Sequence, residues 1–146
     1  MKTRNELLRM TKGQLLRELT TYYKTHRSEA VTKSDDVINK MRKLVTNWNQ
    51  EHVVLMSLDG ANKVIDVDVV FKGTTNRCVF AIRDVMAMAL RNYATSIIVA
   101  HNHPSGNLKM SGEDNVLRHK LREACKLMEV TCLDFIIFSE DDHQSY

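Results

Sequence analysis

Val37, Met41, Leu44, Val45 and Trp48 recur at i, i+4, i+7, i+8 and i+11, with Lys40, Arg42 and Lys43 free to face water, which makes this the clearest helical face in the chain. Just ahead of it, Ser34-Asp35-Asp36 offers an N-cap residue followed by acids that suit the positive end of a helix dipole. Upstream, Leu7, Leu8, Leu15, Leu16 and Leu19 repeat at helical spacing between Asn5 and about Tyr23, interrupted by Gly13, and predict one helix or two short ones. Lys24 to Lys33 lacks periodic apolar residues and reads as a linker. The expected organisation is a helical N-terminal extension, residues 1–33, followed by a domain over residues 34–146.

After Glu51 the period changes. Val53 to Met56 reads as a buried strand, Asp59-Gly60 as a turn, and Ile65, Val67, Val69 and Phe71 alternate with Asp66, Asp68 and Lys72, so the two runs predict a β-hairpin. A short strand is expected near Cys78 to Phe80, a helix from about Arg83 to Asn92, and a central strand in the apolar run Thr95 to Ala100. A helix from Ser111 to about Met128 and a last buried strand from Thr131 to Phe138 complete the pattern. Between them lies His101-Asn102-His103-Pro104-Ser105-Gly106, which holds the chain's single proline and one of its five glycines. That composition forces a turn at the end of a buried strand, where sheet proteins commonly place their sites.

Composition narrows the classes. The 146 residues are 43 % hydrophobic and 27 % charged, one ordinary globular core that needs no disulfide or metal merely to fold, so a metal site requires another reason to exist. No apolar run approaches the roughly 20 residues that cross a bilayer, and the N-terminus lacks the features of a signal peptide, so no membrane association and a cytoplasmic location are expected. Cys78, Cys125 and Cys132 are odd in number and unpaired in spacing, which reads as reduced thiols in the core. Residues 1–50 carry 11 basic and 5 acidic side chains, and residues 51–146 carry 10 and 13. A basic N-terminal segment could lie against nucleic acid or an acidic partner, but a solvated helix face is the more frequent origin of such a run, and with 6 % aromatic residues no stacking platform for single strands is visible.

The chemistry concentrates after the central strand. His101 and His103 are separated by one residue, so in extended backbone both project to the same side and can converge on one ion about 2.0–2.1 Å from each nitrogen. Asp114, in the first turn of the following helix, would complete a three-ligand zinc set with one position open, the catalytic rather than the structural pattern. A competing explanation needs no metal: Ser111-x-x-Asp114 before an apolar helix is a variant capping box, its hydroxyl and carboxylate satisfying backbone N–H groups. Ser111 can cap or face a reacting oxygen, whereas for Asp114 the cap and the ligand are expected to compete.

The run His101-x-His103, seven residues, Ser111, two residues, Asp114 resembles the signature of the JAMM/MPN metalloprotease superfamily, and His101 to Gly106 resembles its bacterial RadC branch. Gly73-Thr74 with Asn76, Arg83-Asp84-Val85 and Leu133-Asp134 resemble further elements of that branch, in order, from about Gln50 to the C-terminus. The resemblance implies an α/β fold of the deaminase-like kind, a mixed β-sheet flanked by helices, with Zn²⁺ held by His101, His103 and Asp114. It also implies that Glu51, which matches by position the family's upstream glutamate, is the general base, and that Ser111 donates to the tetrahedral oxyanion. Two departures stand out. Phe135 occupies the place of a family histidine, and residues 1–33 lack the glycine hairpin of the DNA-binding region that RadC proteins commonly carry.

The expected activity is therefore zinc-dependent hydrolysis of a peptide or isopeptide bond in a peptide or protein substrate, in a family historically labelled DNA repair proteins. The other class to weigh is a non-catalytic scaffold or DNA-associated module that keeps the fold. Joint presence of Glu51, His101, His103, Ser111 and Asp114 favours the enzyme. Phosphodiester cleavage would call for more basic residues around the loop than Lys109 alone. An HNH nuclease is not indicated by three contiguous letters, and a zinc deaminase needs H-x-E with a later cysteine pair, both of which are missing here.

Overall fold

The computed structural model describes residues 9–25, 33–73 and 80–146. The start of the first predicted helix, most of the predicted linker, the predicted strand at Cys78, and Thr74 and Asn76 lie outside them. The elements run α1 (Lys12–Thr25), α2 (Ser34–Arg42), β1 (His52–Leu58), β2 (Val64–Lys72), α3 (Ile82–Arg91), β3 (Ser96–Asn102), α4 (Gly112–Leu127), β4 (Thr131–Phe138) and β5 (His143–Ser145). The strands form one mixed sheet in the order β2-β1-β3-β4-β5, with β3 and β4 parallel and every other pair antiparallel. This is the α/β class with a mixed sheet flanked by helices that the pattern and the resemblance together predict.

The apolar runs of β1 and β3 are continuous because both faces of the sheet are covered. Val53, Leu55, Ile97, Val99 and Phe135 face one way, against Val85, Met86 and Ala89 of α3 and Leu121 and Cys125 of α4. Val54, Met56, Ile98, Ala100, Ile136 and Phe138 face the other way, against Val37, Ile38 and Met41 of α2. Strand alternation therefore sorts odd-numbered residues of β1 and β3 to the α3/α4 face, and it carries Glu51 and His101 there as well.

Several predicted boundaries shift. Ser34 is the first helical residue of α2 rather than its cap; Lys33 takes the N-cap place without a side-chain bond. The helix stops at Arg42, and the N–H groups of Leu44 and Val45 bond three residues back, to Met41 and Arg42. The apolar stripe nevertheless continues to the same core, with Trp48 edge-on to Phe138 at 6.0 Å. In the hairpin, the Asp59 carboxylate accepts from Ala61 N–H at 2.8 Å and Lys63 N–H at 3.0 Å, and Asn62, not Gly60, adopts the left-handed conformation. In α1, Leu15 and Leu16 are exposed, so the predicted apolar stripe does not join the core at these positions. Among the described residues, no helix is long and apolar enough to cross a membrane.

Two further differences bear on the site. β3 runs two residues past its predicted end, so His101 and Asn102 belong to the strand itself, paired with Ile137 and Phe138 of β4. β5, which no apolar pattern announces, brings Tyr146 back across the sheet edge. Its N–H donates to Phe135 O, its hydroxyl donates to Leu108 O at 2.8 Å, and Met110 N–H donates to that hydroxyl at 3.0 Å. The loop between β3 and α4 is thus pinned in its middle by one phenol.

Replacing Tyr146 with Phe removes both loop bonds while keeping the ring. The expected loss is about 1–3 kcal/mol, read as a lowered urea midpoint with an unchanged slope. An unchanged midpoint would mean that the phenol does not hold this loop.

Candidate metal centre

His101 is the penultimate residue of the central strand, on the α3/α4 face and fully buried. His103 lies two residues on, where its N–H still bonds Phe138 O at 3.1 Å, so extended pairing with β4 persists and both rings project to one side. Their centroids stand 4.7 Å apart. The N-terminus of α4 closes the third side. Asp114 Oδ1 lies 3.6 Å from His101 Nε2, and Asp114 Oδ2 lies 3.5 Å from His103 Nε2. One donor atom from each residue can be chosen so that all three lie within 4.8 Å of one another.

These spacings fit a small cation. Ligand atoms about 2.0–2.1 Å from a tetrahedral ion stand about 3.3 Å from each other, close to the separation of each imidazole Nε2 from one Asp114 oxygen, Oδ1 for His101 and Oδ2 for His103. Two further observations agree. Neither ring nitrogen of the buried His101 has a hydrogen-bond partner, an expensive arrangement that a cation at Nε2 would relieve. The Nδ1 of His103 faces Asn107 O at 2.5 Å, and because a carbonyl only accepts, that nitrogen carries the proton and leaves the Nε2 lone pair turned toward Asp114.

The expected conflict between capping and ligation at Asp114 does not arise, because a carboxylate has two oxygens. Ser111 N–H donates to Oδ2 at 2.8 Å, Ser111 Oγ donates to Oδ2 at 2.6 Å, and Asp114 N–H donates back to Ser111 Oγ at 3.1 Å, a complete capping box. Oδ1 is left to face His101. The cap aims the carboxylate, so the helix start and the candidate metal group share the same atoms.

Electrostatics follows from this packing. Burial lowers the His101 pKa to about 4, against the charge of Asp114, so its imidazole is neutral at ordinary pH and available as a ligand. The contact with Asp114 holds His103 above its usual value against burial, helped by Asn107 O and by the negative charge of Glu51. Burial pushes Asp114 up, but the contacts from His103 and Ser111 outweigh it and hold the carboxyl well below the usual range. Glu51 therefore faces the group electrostatically from the start of β1, where its C=O accepts from Gly73 N–H at 2.8 Å. Ser111 borders it as helix cap.

Phe135 is buried, with its ring edge-on to His101 at 5.5 Å. The departure noted in the sequence thus forms an apolar wall of the site. Asn107, whose carbonyl meets His103, and Asn102, whose side chain bonds the backbone of Gln50 and His52 on either side of Glu51, are residues that residue-type reasoning misses; their only signal is their place within and just after the His-x-His run.

A family model described as the RadC-like JAB domain matches residues 31–146. UPF0758 proteins of Streptococcus pyogenes serotype M49 (strain NZ131), serotype M1 and serotype M18 (strain MGAS8232) are similar to this chain, each 37 % identical over 119 residues. That alignment covers 82 % of this chain and 53 % of each relative, so the chain spans about half the length of the curated relatives it matches.

A pH dependence follows for the metal-free protein. In the unfolded chain His101 takes up a proton near 6.5, whereas in the fold it stays neutral down to about 4. Between those values the unfolded state binds more protons, so the contribution of His101 to stability falls as the pH drops, by at most about 3 kcal/mol. The raised His103 acts in the opposite direction, adding stability on the acid side. Urea unfolding in chelator therefore isolates His101 by difference: relative to wild type, His101→Leu should gain stability between about pH 7 and about pH 4.5. A constant difference would show that His101 is not held neutral by burial.

Proposed function

The chain belongs to the RadC-like JAB domain family, and from its His101, His103 and Asp114 we propose a zinc-dependent hydrolase that cleaves a peptide or isopeptide bond. One observation carries the reading: a fully buried histidine with neither ring nitrogen satisfied, set against a carboxylate oxygen and a second imidazole at ligand spacing. His101 Nε2, His103 Nε2 and the Asp114 carboxylate would hold the ion. When bound, Zn²⁺ supplies Lewis acidity toward a carbonyl oxygen and lowers the pKa of water.

The chain's own residues then divide the remaining work. Glu51 takes the proton of the attacking water and returns it to the departing amine, the task of a carboxylate held beside the reacting atoms. Its negative charge already acts on His103 in this geometry. Ser111 supports the oxyanion by turning its hydroxyl hydrogen from Asp114 Oδ2, a rotation about one bond that leaves the acceptor role of its oxygen in the helix cap intact. Phe135 keeps the His101 side dry, which strengthens every charge interaction within. An amide is favoured over a phosphodiester because Lys109 is the lone basic side chain between His101 and Ser111, too little to draw a polyanion to the site. In this reading residues 34–146 carry the chemistry, and residues 1–33 form a helical extension outside it.

Elemental analysis of untagged protein is expected to show near one zinc per chain, lost in both His101→Ala and Asp114→Ala. Against a panel of peptide and isopeptide substrates, Glu51→Gln should keep the zinc and lose about 10²-fold or more in rate. Absence of zinc, with no uptake on addition, would sink the hydrolase and leave a capped helix in a non-catalytic scaffold.

A further inference from the structure

The backbone pairing of β1 with β3 ends at Val53 and His101. One residue further on, the ladder is continued by a side chain. His52 N–H donates to Asn102 Oδ1 at 2.7 Å, and Asn102 Nδ2 donates to Gln50 O at 3.1 Å. The amide therefore stands in for one peptide unit of a neighbouring strand, presenting one acceptor and one donor to the residues either side of Glu51. Asn102 is fully buried, and its own backbone is fixed by pairing with Phe138 of β4.

The opposite edge of the same segment is held too. Gly73 N–H donates to Glu51 O at 2.8 Å, and Gln50 Nε2 donates to Gly73 O at 2.5 Å. The buried His52 ring adds a local bond, Nδ1 to Gln50 O at 2.9 Å. Since N–H and C=O of one residue point to the same strand edge and alternate along the chain, these bonds occupy both edges around residue 51. The backbone there is hydrogen-bonded on both edges, and alternation from Val53 carries the Glu51 side chain to the face that bears His101.

We propose that Asn102 is a positioning residue for Glu51: lying between the two histidine ligands, its side-chain amide fixes the backbone on either side of the carboxylate that serves them. The inference rests on the hydrolase reading for the role of Glu51, but the brace itself is a property of the fold. It explains why a polar residue stands between two ligands at a fully buried strand position. The same two residues of backbone that place the imidazoles on one side place the amide across the strand gap, so ligand set and base keep one register.

Co²⁺ in place of zinc provides a readout that needs no substrate, because its visible absorption responds to a charge beside the open coordination position. Wild type, Glu51→Gln, Asn102→Ala and the double variant are each loaded with Co²⁺. All four are expected to bind one ion, with the Asn102→Ala spectrum displaced from wild type in the direction of Glu51→Gln, and with the double variant no further displaced than Glu51→Gln. Amide exchange at His52 is expected to rise on the order of tenfold or more in Asn102→Ala, while exchange in the middle of β3 stays unchanged. Should Asn102→Ala not fold, Asn102→Asp is read in the same way, since it keeps the acceptor for His52 N–H but sets an oxygen against Gln50 O.

A wild-type spectrum in the Asn102 variant beside a displaced one in Glu51→Gln would overturn the proposal, as would loss of Co²⁺ from the Asn102 variant alone. If wild type binds no Co²⁺, the hydrolase reading fails instead, and the proposal falls with it whatever His52 exchange shows.

Discussion

A strand buried on both faces admits polar side chains only where it emerges from its cover. β3 is such a strand: its seven residues are all buried, and the apolar run from Ile97 to Ala100 is sandwiched between α2 on one side and α3 with α4 on the other. Chemistry is therefore confined to its last two residues and the loop beyond, and alternation decides which face each residue serves. His101 shares the side of Val99 and points toward the start of α4. Everything else in the site is arranged around that one emergence: Glu51 arrives just ahead of the antiparallel neighbour, and Asp114 arrives on the helix that follows.

The second constraint is electrostatic. A buried imidazole without partners, beside a carboxylate held charged, is a poor arrangement for a fold that only had to be stable. Asp114 is kept ionised by His103 and by the Ser111 donors that also cap a helix, while the His103 ring is oriented by the carbonyl of Asn107, so the two support each other. His101 lacks any such support; Phe135 stands at its ring edge. In metalloproteins the non-ligating nitrogen of a ligand histidine commonly donates to a carbonyl or carboxylate, which raises ligand basicity. Here the wall is apolar, and burial leaves His101 a less basic imidazole with an unsatisfied nitrogen turned toward Asp114.

Much of this was readable because local rules and tertiary demands coincide. The change from helical to alternating period after Glu51, the unbroken apolar runs of a doubly covered sheet and the His-x-His spacing each have a single physical origin. The failures have origins as well. α2 stopped early because its stripe can reach the same cluster through a turn, so periodicity outlived the helix. β5 was invisible because three polar residues at a sheet edge carry no burial signal. Asp114 was set between cap and ligand as though it had one oxygen to offer.

Asn102 was passed over for a more general reason. Residue-type reasoning looks for groups that react or ligate, and an asparagine between two histidines does neither. Its value lies in mimicking backbone: one donor and one acceptor at peptide spacing, placed where a real strand would have supplied them. An aspartate there would repel the carbonyl of Gln50, a serine would not span the gap with both functions, and an apolar residue would leave His52 N–H and Gln50 O without these partners. The chemistry of a site built on strand ends thus depends on groups that finish the ladder as well as on groups that touch substrate. Here the residue between the two histidines is held by the neighbouring strand.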